Sequence, residues 1–225
     1  MNRVRAALAS QAFERFFDVM CSVAGLLLLA PVLAGIALVI VFDDGSPILF
    51  SQTRAGKDGK PFRIWKFRTM RSGSQGSVIT AAGDNRITRA GTRLRKYKLD
   101  EFPQLFNVLK GDMSLVGPRP EVPERVHFEA PEWQAVLRVR PGITDLATLL
   151  YRDEERILGA SRDPEAFYRE HVLPAKLLLN VEYLVSRSFW QDLKLILLTI
   201  RYSLFVKGFD PDLIERTFGT GVGNE

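Results

Sequence analysis

The apolar positions of the chain change their spacing several times. From Val19 to Phe42 the sequence reads VMCSVAGLLLLAPVLAGIALVIVF, a run without a charge and long enough to cross a bilayer as a helix. Pro31 sits near its centre, where a proline removes one backbone hydrogen bond and crowds the preceding turn, so a kink or break is predicted at Ala30-Pro31. Two shapes fit: a kinked single span, or a re-entrant helix that enters and leaves on one face. Arg3, Arg5 and Arg15 precede the run and Arg54, Lys57 and Lys60 follow it, which the positive-inside bias reads as both flanks on the cytoplasmic side. A cleaved signal peptide fits poorly, because the run is too long and lacks a small-residue cleavage site.

Beyond the run the period shortens. Ile48 to Thr53 and Phe62 to Phe67 are β-prone stretches on either side of the turn-rich AGKDGKP, which predicts a hairpin. Ser72 to Ala82, rich in Gly and Ser, reads as a loop that is either a linker or a lid. Asp100 is positioned to start a helix that runs through Phe106, Val108 and Leu109 and stops at Gly111, with Pro103 in its first turn. Leu173 to Phe205 interleaves apolar residues with Lys176, Arg187, Lys194 and Arg201, the pattern of amphipathic helices that pack on a core or lie on a membrane interface. Trp190 and Tyr202 favour the interface, and GTGVGNE closes the chain as a frayed tail. The fold class this predicts is α-rich α+β.

Composition narrows the partners. The 225 residues carry a formal charge of +5, which suits anionic partners without choosing among nucleic acid, phospholipid and phosphorylated substrates. The single cysteine, Cys21, lies in the apolar run and has no intrachain partner, so no disulfide framework is expected and the body faces a reducing compartment. Neither GxGxxG nor a P-loop is present, and His127 and His171 have no third ligand at a recognised spacing, which disfavours dinucleotide, zinc and cysteine-nucleophile chemistry.

The chemistry-bearing residues concentrate in KFRTM and in RLRKYKLDEFPQLFNVLKGDMSLVGPRP. Phosphoryl transfer needs cations on phosphate oxygens, a carboxylate-held divalent metal and a nucleophile in line with the leaving group. Asp100, Glu101, Lys66, Arg68, Arg95 and Arg119 can supply those parts. Taken alone, Asp100 reads first as a helix cap and Glu101 as a first-turn charge, because such caps are common, and the basic residues read also as solvated surface.

The whole block resembles the monotopic polyprenol-phosphate phosphoglycosyl transferases, the bacterial sugar transferase family. The resemblance covers nearly the entire chain: the Pro-interrupted apolar run, KFRTM at Lys66 to Met70, KLDEFPQLFNVLKGDMSLVGPRP at Lys98 to Pro120, and RPGIT at Arg140 to Thr144. It implies transfer of a sugar 1-phosphate from a UDP-sugar donor to a polyprenyl (undecaprenyl) phosphate acceptor with release of UMP, initiating surface glycan or exopolysaccharide assembly. It also implies a covalent phosphosugar on Asp100, Mg²⁺ held by Asp100 and Glu101, and Glu101 as metal partner or as base toward the lipid phosphate. Lys66, Arg68, Arg95 and Arg119 would bind phosphate, and Pro118 and Pro120 would shape the loop.

The resemblance tips the Pro31 question toward a re-entrant helix. Residues 1–18 would then form an interfacial segment, 19–42 the membrane helix, and 43–225 a catalytic body on the cytoplasmic face of the bacterial inner membrane. It further suggests the minimal catalytic form, without the N-terminal bundle of larger members.

One departure stands out: many members continue PGIT with a GWAQVNGR-like stretch, whereas this chain has DLATLLYRDEE from Asp145. Arg152 is the expected anion contact there, with pairing to Asp153 or Glu155 as the alternative. A homodimer through the apolar C-terminal helices stays open, and no nucleic-acid partner is expected. The rival classes are a membrane-associated glycosyltransferase releasing UDP and a non-enzymatic basic membrane-surface protein.

Overall fold

The computed structural model describes residues 2–74 and 79–219; part of the Ser72 to Ala82 loop and the tail after Gly219 lie outside them. The first element is a single helix, α1 (Asn2–Asp44, 43 residues), with Pro31 inside it. The predicted kink does not become a break: the helix continues through Ala30-Pro31, because a proline costs one hydrogen bond and the Leu- and Ala-rich turns around it are strong helix formers. At 1.5 Å per residue α1 is about 64 Å long.

Next come two strands, β1 (Leu49–Ala55) and β2 (Pro61–Phe67), paired antiparallel with Phe50 opposite Lys66 and Arg54 opposite Phe62. This is the hairpin the alternation predicted. Its turn places Asp58 and Gly59 at φ 56° and 73°. Helix α2 (Arg89–Lys96) starts at Thr88, whose side chain accepts from Gly91 N at 2.9 Å.

Lys98 takes the left-handed conformation (φ 56°), and Leu99–Glu101 form one 3₁₀ turn before α3 (Gln104–Lys110), which stops at Gly111 (φ 94°). The α-helix therefore begins at Gln104 and not at Asp100: Pro103 has no N–H to donate into an α-helical ladder running from Asp100, and its fixed φ suits the N-terminal boundary. Asn107 ties α3 to β2, accepting from Trp65 N at 3.0 Å and donating to Arg63 O at 2.7 Å.

A second sheet, absent from the sequence reading, pairs β3 (Ser114–Val116) in parallel with β4 (Gly142–Thr144), with the short helix α4 (Pro131–Val136) between them in sequence. The backbones approach so closely that a Cβ on Gly142 would lie 2.1 Å from Gly117 N. Short helices α5 (Leu146–Leu150), α6 (Glu154–Gly159) and α7 (Pro164–Phe167) follow. A π-type turn, Tyr168–Val172, leads into α8 (Leu173–Ser186), α9 (Phe189–Leu204) and α10 (Pro211–Phe218).

The main core gathers Val116, Leu146, Leu149, Tyr183, Leu195, Tyr202 and Ile214. Tyr202 is thus a fully buried core residue rather than an interfacial anchor, whereas Trp190, Leu197, Ile200 and Leu204 of α9 are exposed. Lys176 is buried in an ion pair with Glu154 at 2.6 Å.

Helix α1 is held by this body on both flanks of its apolar run. Arg15 donates to the carbonyls of Val108 and Leu109, and Asp18 accepts from Leu115 N at 3.0 Å. At the far end Asp43 accepts from Ala90 N at 2.8 Å and Asp44 from Ser72 N at 3.1 Å. Leu33, Ile36, Ala37 and Ile40 pack on Ile48, Phe67, Leu94 and Leu99. Phe16, Leu27, Leu28, Leu38 and Phe42 of the same helix are exposed.

Candidate active site

The 3₁₀ turn presents two adjacent carboxylates, each 7% exposed, in very different surroundings. Glu101 takes a two-pronged contact from Arg119, with Nη2 to Oε1 at 2.5 Å and Nη1 to Oε2 at 3.2 Å, and Lys66 Nζ lies 3.4 Å from Oε1. Burial alone would raise its pKa, but the Arg119 and Lys66 charges outweigh that and hold the carboxyl well below its usual range. Asp100 keeps Oδ1 buried without a hydrogen-bond partner. Burial first, and the Glu101 charge second, push its pKa up. Burial lowers Lys66 to about 8 against the pull of Glu101, while Glu101 raises Arg119 in spite of its burial.

Arg119 is aimed by its loop. Pro118 and Pro120 on either side are buried; Gly117 N donates to Thr144 O at 3.1 Å, Gly142 N to Pro118 O at 3.1 Å, and Arg54 Nη1 to Pro120 O at 3.3 Å. The next residue, Glu121, locks the loop to the hairpin and to the helices. Its backbone oxygen accepts from Ala55 N at 2.9 Å, and its carboxylate accepts from Arg54 and Arg125 and from the buried Tyr168 hydroxyl at 2.7 Å. Burial pushes the Tyr168 phenol up, and Arg125 pairs in turn with Glu165. The sequence reading assigned none of Arg54, Glu121 and Tyr168 to the site. For Arg54 a signal existed: the hairpin register puts it on the same face as Lys66.

The other predicted site residues have other partners here. Arg68 donates to the carbonyls of Asp44 and Gly45 at 2.8 and 2.7 Å and pairs with Asp44, so it satisfies the C-terminal end of α1. Arg95 pairs with Glu155 at 2.5 Å and reaches Thr69 Oγ1 at 3.4 Å. Arg152 donates to Lys96 O at 3.3 Å and pairs with neither Asp153 nor Glu155. Ala30 and Pro31 are exposed on α1.

For a divalent metal the fit is partial. Among the described residues no three His, Cys, Asp or Glu side chains gather at one point. Asp100 has an uncommitted carboxylate oxygen, which suits a Mg²⁺ that takes its remaining ligands from phosphate and water, whereas both oxygens of Glu101 are engaged by Arg119.

A long, outwardly apolar helix seated on a carboxylate and cation site defines a class of proteins that pair a lipid-compatible element with an anion-handling centre. The chain belongs to the bacterial sugar transferase family, whose model matches residues 9–206.

Among its relatives is the undecaprenyl-phosphate glucose phosphotransferase of Komagataeibacter xylinus, 39% identical over 85% of this chain and 36% of that protein. The UDP-glucose:undecaprenyl-phosphate glucose-1-phosphate transferase of Caulobacter vibrioides is 38% identical over 83% of this chain and 68% of its own length. The exopolysaccharide production protein PSS of Rhizobium leguminosarum bv. phaseoli is 37% identical over 83% and 92% of the two chains. The chain thus spans about a third of the first of these relatives and most of the last.

Proposed function

We propose that the protein transfers a sugar 1-phosphate from a UDP-sugar to polyprenyl phosphate, giving polyprenyl-diphosphate-sugar and UMP, at the start of surface glycan or exopolysaccharide assembly. The observation that carries this reading is the asymmetry of the two carboxylates: Glu101 is neutralised by Arg119 and Lys66, while Asp100 has a buried oxygen with nothing bound to it. A carboxylate that is desolvated and uncommitted is a nucleophile.

Asp100 attacks the β-phosphorus of the donor; the bond from that phosphorus to the bridging oxygen breaks, and its electron pair leaves with UMP. The phosphosugar stays on Asp100 as a mixed anhydride. An oxygen of the polyprenyl phosphate then attacks the same phosphorus and Asp100 departs as carboxylate.

Lys66 and Arg119 supply positive charge beside the reacting oxygens. Glu101 fixes both cations, and a role as base toward the lipid phosphate would require it to give up Arg119. A Mg²⁺ held by Asp100 would neutralise charge on the diphosphate and favour the ionised carboxylate over the protonated form that burial favours.

The test is nucleotide release. Purified protein with Mg²⁺, undecaprenyl phosphate and a panel of UDP-sugars is expected to release UMP with one donor, and without the lipid to gain the mass of a phosphosugar. Release of UDP would identify a glycosyltransferase instead.

For topology, the same proposal keeps both flanks of the apolar stretch of α1 on one face of the bilayer, the continuous helix being sunk into that face by its exposed apolar side, with the body on the cytoplasmic side of the inner membrane. Its support is that Arg15 and Asp18, just before the apolar run, and Asp43 and Asp44, just after it, hydrogen-bond to one body. A span that put these flanks on opposite sides would have to release one set. In a Cys21→Ser background, cysteines at the exposed positions Gln11 and Lys60 are expected to react with a membrane-impermeant maleimide in inverted vesicles and not in intact spheroplasts. Labelling from opposite sides would establish a span.

A further inference from the structure

The hairpin register puts an aromatic ring beside the site that the donor chemistry does not use. Phe50 is the direct cross-strand partner of Lys66. Directly opposed residues of an antiparallel pair point to the same face with Cβ atoms about 4.5–5.5 Å apart, so the ring stands next to the lysine that reaches Glu101. Phe50 is 49% exposed.

On one side of it lies charge: Lys66, Glu101 and Arg119. On the other lies the membrane helix. Ile48, two residues earlier, packs in the cluster of Leu33, Ile36, Ala37 and Ile40, and so does Leu99, the residue before Asp100. The exposed ring therefore sits where the apolar face of α1 gives way to the anion site.

Resting on the reaction proposed above, we infer that Phe50 and Lys66 form the acceptor subsite: the ring carries the first isoprene units of the polyprenyl phosphate, and the ammonium receives its phosphate. An apolar platform one cross-strand step from a cation matches a molecule whose charged head is joined directly to a hydrocarbon chain. A nucleotide diphosphate sugar, polar from end to end, has no use for that step. A uracil ring stacked on Phe50 is the competing occupant, and general contact with lipid is the other.

The two half-reactions separate these occupants. Phe50→Ala and Phe50→Leu are compared with wild type in detergent, first for phosphosugar adduct formation from donor alone, then for discharge of the adduct by polyprenyl phosphate. Phe42→Ala, on α1 and 85% exposed, serves as the control for general apolar contact.

The expected result is wild-type adduct formation in both Phe50 variants. With Phe50→Ala the KM for polyprenyl phosphate in the discharge step rises roughly tenfold or more, as loss of a buried phenyl contact implies. Phe50→Leu recovers most of that loss, and Phe42→Ala is unchanged.

Discharge at the wild-type KM by Phe50→Ala, an equal rise in Phe42→Ala, or a loss confined to adduct formation would each overturn the assignment. Failure of the wild type to form any adduct would instead overturn the reaction on which it rests.

Discussion

Asp100→Asn is expected to lower sugar-phosphate transfer by at least ~10³-fold, with no adduct on the protein, while the chain stays folded and membrane-bound. The amide nearly matches the carboxylate in shape and cannot attack phosphorus. What makes the variant informative is that a purely structural role predicts a different pair of outcomes. Burial and the Glu101 charge raise the Asp100 pKa, so the folded state holds this proton more tightly than the unfolded chain does. The stability tied to that proton is present below the ordinary carboxylate pKa and is lost as pH rises through the raised value. At neutral pH Asp100 is therefore a cost to folding, and Asn removes it.

The melting temperature of Asp100→Asn at pH 7 should equal or exceed that of wild type, with a flatter dependence on pH. Activity lost with stability kept or gained marks a reacting group. Activity lost together with stability would mark a cap, and substantial residual turnover would remove Asp100 from the covalent role.

Legibility in the sequence followed the range of the interactions. The hairpin was readable because alternation and turn chemistry are local, and so was the stop at Gly111, where φ is 94°. The start of that helix was misread by four residues, because the left-handed Lys98 and the 3₁₀ turn at Leu99–Glu101 are set by the packing of Leu99 under α1 as much as by propensity. The β3 and β4 pair is too short to leave a period, and its partners are far apart in sequence.

In the site, Glu101 and Arg119 are joined by a motif block that could be read as a unit. Arg68 and Arg95 looked equivalent to Lys66 and Arg119 as charges, but their partners, the α1 terminus and Glu155, are visible only in three dimensions. Tyr202 shows the same limit, since an aromatic residue in an amphipathic pattern names neither lipid nor core until the packing does.

Arg119→Ala is expected to cost both stability and turnover, and the two losses should come apart when Glu101 is changed as well. Arg119 contacts each of the two Glu101 carboxylate oxygens; without it, Lys66 at 3.4 Å from Oε1 is left beside a carboxylate that is 7% exposed. Removing one partner of such a buried pair costs about 3 kcal/mol. Loss of a cation beside the reacting phosphate should lower kcat by roughly 10²- to 10³-fold.

Arg119→Lys keeps the charge without the fork and should fall between alanine and wild type on both scales. The double variant Arg119→Ala/Glu101→Gln removes the stranded charge. It should regain most of the lost stability in a thermal or denaturant melt and none of the lost UMP release. If the double variant were as unstable as Arg119→Ala alone, Arg119 would be stabilising the loop by packing rather than through its ion pair with Glu101. Full recovery of turnover would mean that Arg119 acts only through Glu101, as the counter-ion that keeps a second carboxylate charged beside Asp100 without repelling the donor's phosphates.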